Sequence, residues 1–295
     1  MSPIKNETVI DPKREEIEST IDASNIQIFG IRELKRLLQP IINQQFYGTE
    51  VTVDNLITFL IQKSQLKKIQ FLTPRIETFY RWRTIDNYML MPNLRPNGYY
   101  SHLTALYFHH LLDHEPNNIY FNNEQPARPA TGDLEQSRID NAFRGKQRIT
   151  TAKTEYQGKV YWLLNGKQTG NYSVIELNSP SGLHLPVTNL ERTLIDITVR
   201  PGYAGGVESV LKAYRLAQSK ISIDKLSKAL RKLDYKYPYH QSVGLYIELA
   251  GNYEDKDSQT FFKFQPIHYD FYLDYGIKNP AYSKKWKIYY PKTLL

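Results

Sequence analysis

Between Val187 and Gly251 the apolar positions recur at helical spacing, and breakers divide them into four segments. Thr188 and Asn189 are placed to cap a helix whose Leu190, Leu194 and Ile195 share a face. Pro201-Gly202 stops it, and Gly205-Gly206 allows a tight turn. Val207, Val210, Leu211, Tyr214 and Ala217 then form a second stripe. Ser222 restarts the pattern for Leu226, Ala229, Leu230 and Leu233. Pro238 breaks it, and a last helix from about Gln241 puts Val243, Ile247 and Ala250 on one side. Four such stripes need a common surface to bury them.

Ahead of this block the pattern is more varied. Residues 1–26 are polar and read as a mobile tail with a short helix around Lys13–Ile21. Ile31, Leu34, Leu37 and Leu38 have helical spacing, and Pro40 either splits that helix or ends it. Thr52 is a cap for a helix through Lys63 with Leu56, Phe59 and Leu60 as its stripe. Leu66–Leu72 and Thr78–Arg83 have strand composition, with Thr73-Pro74-Arg75 as the turn. Ser101 is placed to cap a helix carrying Leu103, Leu106, Tyr107 and Leu111. Asn118–Asn122 reads as a strand, and residues 131–148 contain a helix with Ile139, Ala142 and Phe143 inward. The runs ITTAKTEY, KVYWLLNG and YSVIEL read as strands, and Phe261–Pro291 as strands rich in Phe and Tyr. The fold class is α+β.

Helices followed by a two-stranded hairpin match a winged helix-turn-helix, which sets a helix in the major groove and the hairpin against the backbone. On that reading Thr52, Asn55 and Thr58 lie on the groove-facing helix, and Lys63, Lys67, Lys68, Arg75, Arg81 and Arg83 are phosphate contacts. A small helix–hairpin unit equally serves as a protein-docking adaptor.

Charge sharpens the division of the chain. Residues 1–125 hold 13 Lys/Arg and 14 Asp/Glu, whereas residues 126–295 hold 25 and 16, so the excess of +8 arises in the second part. Arg144, Lys146 and Arg148 form one basic cluster, and Lys212, Arg215, Lys225, Lys228, Arg231 and Lys232 fall mainly off the apolar stripes. Such a surface suits nucleic acid or another polyanion, and equally an ordinary solvated face. No apolar run approaches a membrane span, the first twenty residues lack the apolar core of a secretory signal, and there is no cysteine. A cytoplasmic protein with no membrane partner is expected.

Catalytic motifs are sparse. The chain has no phosphate-binding glycine loop, no dinucleotide fingerprint and no nucleophile elbow. His109, His110 and His114 lack a carboxylate–histidine metal pattern, and Asp196 sits four residues after Arg192, a spacing for an ion pair. His268-Tyr-Asp270, and Glu176 with Lys167, are the remaining acid–base pairings, the latter being what a divergent nuclease would use. No metal, no cofactor and no enzyme activity are expected.

LERTLIDITVRPGYAGG at Leu190–Gly206, LRKLDYKYPYHQSVGLYIELAG at Leu230–Gly251, GYYSHLTALYFHHL at Gly98–Leu111 and the closing DFYLDYGIKNPAYSKKWKIYYP together resemble AbiEi-type antitoxins. These are the regulator partners in type IV abortive-infection toxin–antitoxin systems of phage defence. The likeness runs from about Ile31 to the end. It implies a winged-helix DNA-binding domain at 27–92, after a tail at 1–26, and an α+β antitoxin domain at 93–295. It further implies a repressor that binds inverted repeats in its own operator and counteracts a nucleotidyltransferase toxin of the AbiEii type without a stable complex.

Overall fold

The protein is described by a computed structural model over residues 6–72, 75–127, 132–179 and 181–294. It is a mixed α+β fold that divides into two compact units, Met1–Pro96 with Thr151–Gln157, and Asn97–Thr150 with Gly158–Leu295.

In the first unit the polar opening is not a free tail. Helices Glu7–Ile10 and Arg14–Ala23 carry Ile10, Ile17 and Ile21, all 0% exposed, into the unit's core beside Leu34, Leu56 and Leu60. Ile17 and Ile21, four apart, share one face of the second helix, and with Ile10 from the first they are enough to dock a segment that composition alone reads as mobile. The helix Ile31–Gln45 runs unbroken through Pro40. Pro40 and Arg36, whose carbonyl receives no N–H from the proline, both lie on the exposed face, while Leu34, Leu38 and Ile41 are buried. Thr52 caps the helix Val53–Lys63 through a reciprocal box with Asn55. The strands Leu66–Phe71 and Glu77–Trp82 form an antiparallel pair, and Ile28–Gly30 adds to the second of them. Thr73 and Pro74 of the expected turn lie outside the described residues.

In the second unit five neighbouring strands of one sheet follow the order Lys159–Leu164, Asn118–Asn122, Tyr99–Tyr100, His184–Thr188, Val174–Asn178, and Phe271–Tyr272, Ile288–Pro291 and Pro280–Ser283 form another sheet. Lys159–Leu164 runs parallel to Asn118–Asn122, and Tyr99–Tyr100 parallel to His184–Thr188. Gly98 lets that sheet close up: a Cβ there would lie 2.7 Å from the Asn122 carbonyl oxygen and nearer still to the Phe121 ring. Asn189 caps the helix Leu190–Val199, accepting from Arg192 N at 2.9 Å. Helices Val207–Ala217, Ile223–Leu233 and Tyr239–Ala250 follow, with Ser222 capping the second of these and their expected apolar stripes buried in one core. Ser101, in contrast, does not cap its helix: its hydroxyl bonds the neighbouring His102 ring, and the helix ends at Phe108. Ala142 points outward, while Ile139 and Phe143 on the helix Gln136–Phe143 are buried. Asp255–Phe262 is helical, so the terminal strands begin only at Phe271.

Trp286, fully buried, closes this core against Gly244. Among the described residues no helix is long and apolar enough to cross a membrane.

Candidate functional site

The expected DNA-contacting residues separate into two groups. Thr52 and Asn55 are spent on the capping box, and the Thr58 hydroxyl donates to the Asp54 carbonyl at 2.8 Å, so these side chains serve their own helix. Lys63 pairs with Glu7 at 2.9 Å. Arg83 makes a two-pronged pair with Asp22, whose carboxylate also accepts from the Trp82 indole at 2.7 Å. Those donors, the indole first and then the guanidinium, hold the Asp22 carboxyl below its usual range. Arg83 therefore clamps the hairpin to the Arg14–Ala23 helix. Arg81 lies half-buried over the Tyr156 ring at 5.3 Å. Lys67, Lys68 and Arg75 are exposed on the hairpin.

A second cationic feature escaped the sequence reading. Arg32, Arg36, Gln39 and Asn43 are all exposed on the helix Ile31–Gln45, spaced four, three and four residues apart. They form one stripe of hydrogen-bonding side chains, and neither arginine has an ion-pair partner among the described residues. The neighbouring Lys35 is taken by Asp54 at 2.7 Å. Attention to the polar face of that segment, rather than its apolar one, would have found the stripe.

In the second unit the nine expected basic residues do not form one free surface. Lys212 pairs with Asp113 at 3.0 Å and Lys228 with Asp224 at 2.7 Å. Arg215 donates to the Leu249 and Ala250 carbonyls at the end of the Tyr239–Ala250 helix. Arg231 stacks over Phe264 at 4.3 Å. Arg144, Lys146, Lys225 and Lys232 stay exposed without an ion pair among the described residues, the last two a heptad apart on one helix. Arg148 alone of the nine lines the unit's main cavity.

That cavity measures about 1100 Å³ and lies wholly within the second unit. Its lining brings together segments distant in sequence, including the residues flanking Gly166, the helix Leu190–Val199, and the run Asp234–Tyr239. Five cationic side chains (Arg148, Lys167, Arg192, Arg200 and Lys236) face three carboxylates (Asp133, Asp196 and Asp234). Tyr203, Tyr235, Tyr237, Tyr239 and Tyr275 supply ring surface.

The expected Arg192–Asp196 pair forms at 2.7 Å with both side chains buried. Desolvation pushes the Asp196 carboxyl above its ordinary range even against the neighbouring guanidinium. Arg192 also donates to the Tyr172 carbonyl at 3.1 Å and the Thr169 hydroxyl at 3.3 Å. The same loop cradles Glu124, which accepts from the Thr169, Gly170 and Asn171 amides and from the Tyr99 hydroxyl. Burial opposes its charge, but those donors prevail and keep its carboxyl below the usual range. Arg200, half-buried, has no carboxylate partner among the described residues; it donates to the Arg148 carbonyl at 3.3 Å. His102 lies in the cavity wall in the left-handed region, φ 52°. Burial first, then Arg192 and Arg200, depress its imidazole from 6.5 to about 3, so it is neutral at physiological pH.

Of the remaining acid–base candidates, Glu176 is exposed on the strand Val174–Asn178, and Asp270, Lys167 and His109 have structural partners. Asp270 accepts from the Tyr282 hydroxyl at 2.6 Å, and Lys167 donates to the Leu233 and Asp234 carbonyls. His109 bonds the Thr188 carbonyl at 2.7 Å. Among the described residues no group of three His, Cys, Asp or Glu side chains is placed to hold a metal ion.

The fold and cavity define a two-unit α+β protein. No family model matches the chain, and no curated protein matches it. Among solved structures it is similar to the RV2827C protein from Mycobacterium tuberculosis, with a TM-score of 0.60 and 12% identity over 96% of this chain and 91% of that one. At that identity the likeness is one of fold.

Proposed function

We propose that the chain is a DNA-binding regulator and antitoxin of the AbiEi type, acting in the cytoplasm on operator DNA and counteracting a nucleotidyltransferase toxin. In this reading the first unit is a winged helix and the chain works by binding rather than by catalysis. The observation that carries it is the order of elements in that unit. A capped helix, Val53–Lys63, leads directly into a hairpin whose inner strand pairs with Ile28–Gly30; Lys67 and Lys68 are exposed on that hairpin, and Arg32 and Arg36 on the helix Ile31–Gln45 of the same unit. The second-unit motifs quoted above support the antitoxin half. Leu72 and Ile76, 47% and 62% exposed on the hairpin, favour the adaptor as the second reading.

A gel-shift with DNA from upstream of the chain's own gene, at two salt concentrations, separates the two. A regulator binds and loses affinity steeply with salt. Substituting Lys67→Ala with Lys68→Ala weakens binding roughly tenfold or more and lowers the salt slope by about two. An adaptor shows no salt-sensitive shift, and that result would overturn the regulator reading.

A further inference from the structure

We propose that the cavity of the second unit is a binding site for a free nucleoside phosphate. This stands apart from the DNA reading, since every residue that lines the cavity belongs to the second unit and every proposed DNA contact to the first.

Charge is the first ground. Asp196 occupies Arg192, and Asp133 and Asp234 are both exposed to solvent. Among the described residues, half-buried Arg200 has only a backbone carbonyl for a partner, at 3.3 Å, and Arg148 joins it in the lining with no ion pair of its own. A guanidinium withdrawn from water keeps its charge, and its planar fork of donors matches a phosphate. Lys167 and Lys236 are anchored to carbonyls of Leu233, Asp234 and Gly132, which holds two ammonium groups in the same lining.

Shape and surface chemistry are the second ground. The volume of about 1100 Å³ exceeds what a lone inorganic anion fills and is ample for a nucleotide. Tyr235 and Tyr237 are half-buried in that lining, Tyr235 beneath the Lys167 ammonium at 5.7 Å and Tyr237 edge-on to Phe143. A flat ring with a hydroxyl at its edge stacks on a base and bonds its polar rim. The backbone supplies a third ground. His102 holds a conformation that costs a non-glycine residue on the order of 1 kcal/mol or more, and such strain concentrates at ligand sites.

The cations select a phosphate, and the tyrosines select a planar base. Neither alone accounts for both halves of the lining.

Calorimetric titration of the full chain with AMP, ATP, adenosine and inorganic phosphate tests the assignment. AMP or ATP saturates the protein at a 1:1 ratio, whereas adenosine and phosphate each bind at least ~10-fold more weakly, because each engages only part of the lining. Arg200→Gln weakens the nucleotides by roughly tenfold or more and leaves adenosine unchanged. Tyr237→Leu weakens the nucleotides and leaves phosphate unchanged. Arg148→Gln, on an exposed side chain, repeats the charge test without risk to the core. The Lys67→Ala/Lys68→Ala protein, impaired on DNA, binds nucleotide like the parent. The proposal is overturned if no nucleotide saturates the protein at millimolar concentration, or if Arg200→Gln, Arg148→Gln and Tyr237→Leu all bind like the parent. Binding of a 5′-phosphorylated oligonucleotide without binding of mononucleotide also overturns it, since the ligand would then be a nucleic-acid end.

Discussion

Gly244 shows how tightly one position can be fixed by its neighbour. It sits mid-helix, where glycine ordinarily costs about 1 kcal/mol relative to alanine. The Trp286 ring occupies the space a side chain would need: a Cβ would approach its Cη2 to 2.1 Å. The ring has nowhere to retreat. It is fully buried, its indole donates to Glu248 at 2.9 Å, and Gln241 holds its carbonyl at 2.6 Å. Gly244→Ala is therefore expected to destabilise the protein by about 2–3 kcal/mol in urea unfolding, despite the better helix propensity of alanine. Gly145, with nothing within 4 Å of an added Cβ, is the control. Gly145→Ala should shift the midpoint little. Equal shifts for the two would refute the steric account.

The helix Arg14–Ala23 illustrates what an element can conceal. Its sequence is mostly charged and hydroxylic, and Ile17 and Ile21 alone give it an apolar edge. Both are fully buried, and Asp22 adds the clamp to Trp82 and Arg83. Ile17→Ala should therefore cost roughly 2–4 kcal/mol in stability of the first unit, read by urea unfolding; a mobile tail would give no change. In the second unit the four helices Leu190–Ala250 were legible because each carries several apolar residues at the 3.6 period with a cap or breaker at its ends. The strand Tyr99–Tyr100 was not, since two residues cannot display alternation. Nor was the cavity. Arg148, Lys167, Arg200 and Tyr237 come from segments tens of residues apart, and only tertiary folding gives them one lining. The Arg192–Asp196 pair was readable because both members sit on one helix turn.

Stability of the whole protein against acid follows from its buried imidazoles. His102 is depressed from 6.5 to about 3 by burial, then by Arg192 and Arg200, and His240 to about 4 by burial. An unfolded chain takes up protons at these sites near pH 6.5, while the folded chain refuses them until the pH nears 3–4. The stabilisation is thus complete above pH 6.5 and is lost progressively as pH falls toward the folded values. Asp22 and Glu124, held below the usual carboxylate range by their donors, add to the loss only at lower pH, as protonation overtakes them. Buried Asp196 and half-buried Asp274 act in the opposite sense, since desolvation raises both; the folded chain holds their protons more tightly, which favours it as pH falls. Between pH 7 and pH 5 the imidazoles are the groups whose unfolded forms titrate. Urea unfolding of the parent should accordingly lose about 4 kcal/mol on going from pH 7 to pH 5, about 2 kcal/mol each from His102 and His240. His109 is lowered as well, chiefly by burial, so His102→Gln removes one of three depressed imidazoles, and its loss over the same interval should be smaller by about 2 kcal/mol. An undiminished loss in that variant would mean that the His102 ring becomes protonated inside the folded protein, which its contact with Ser101 and its place beside Arg192 and Arg200 oppose.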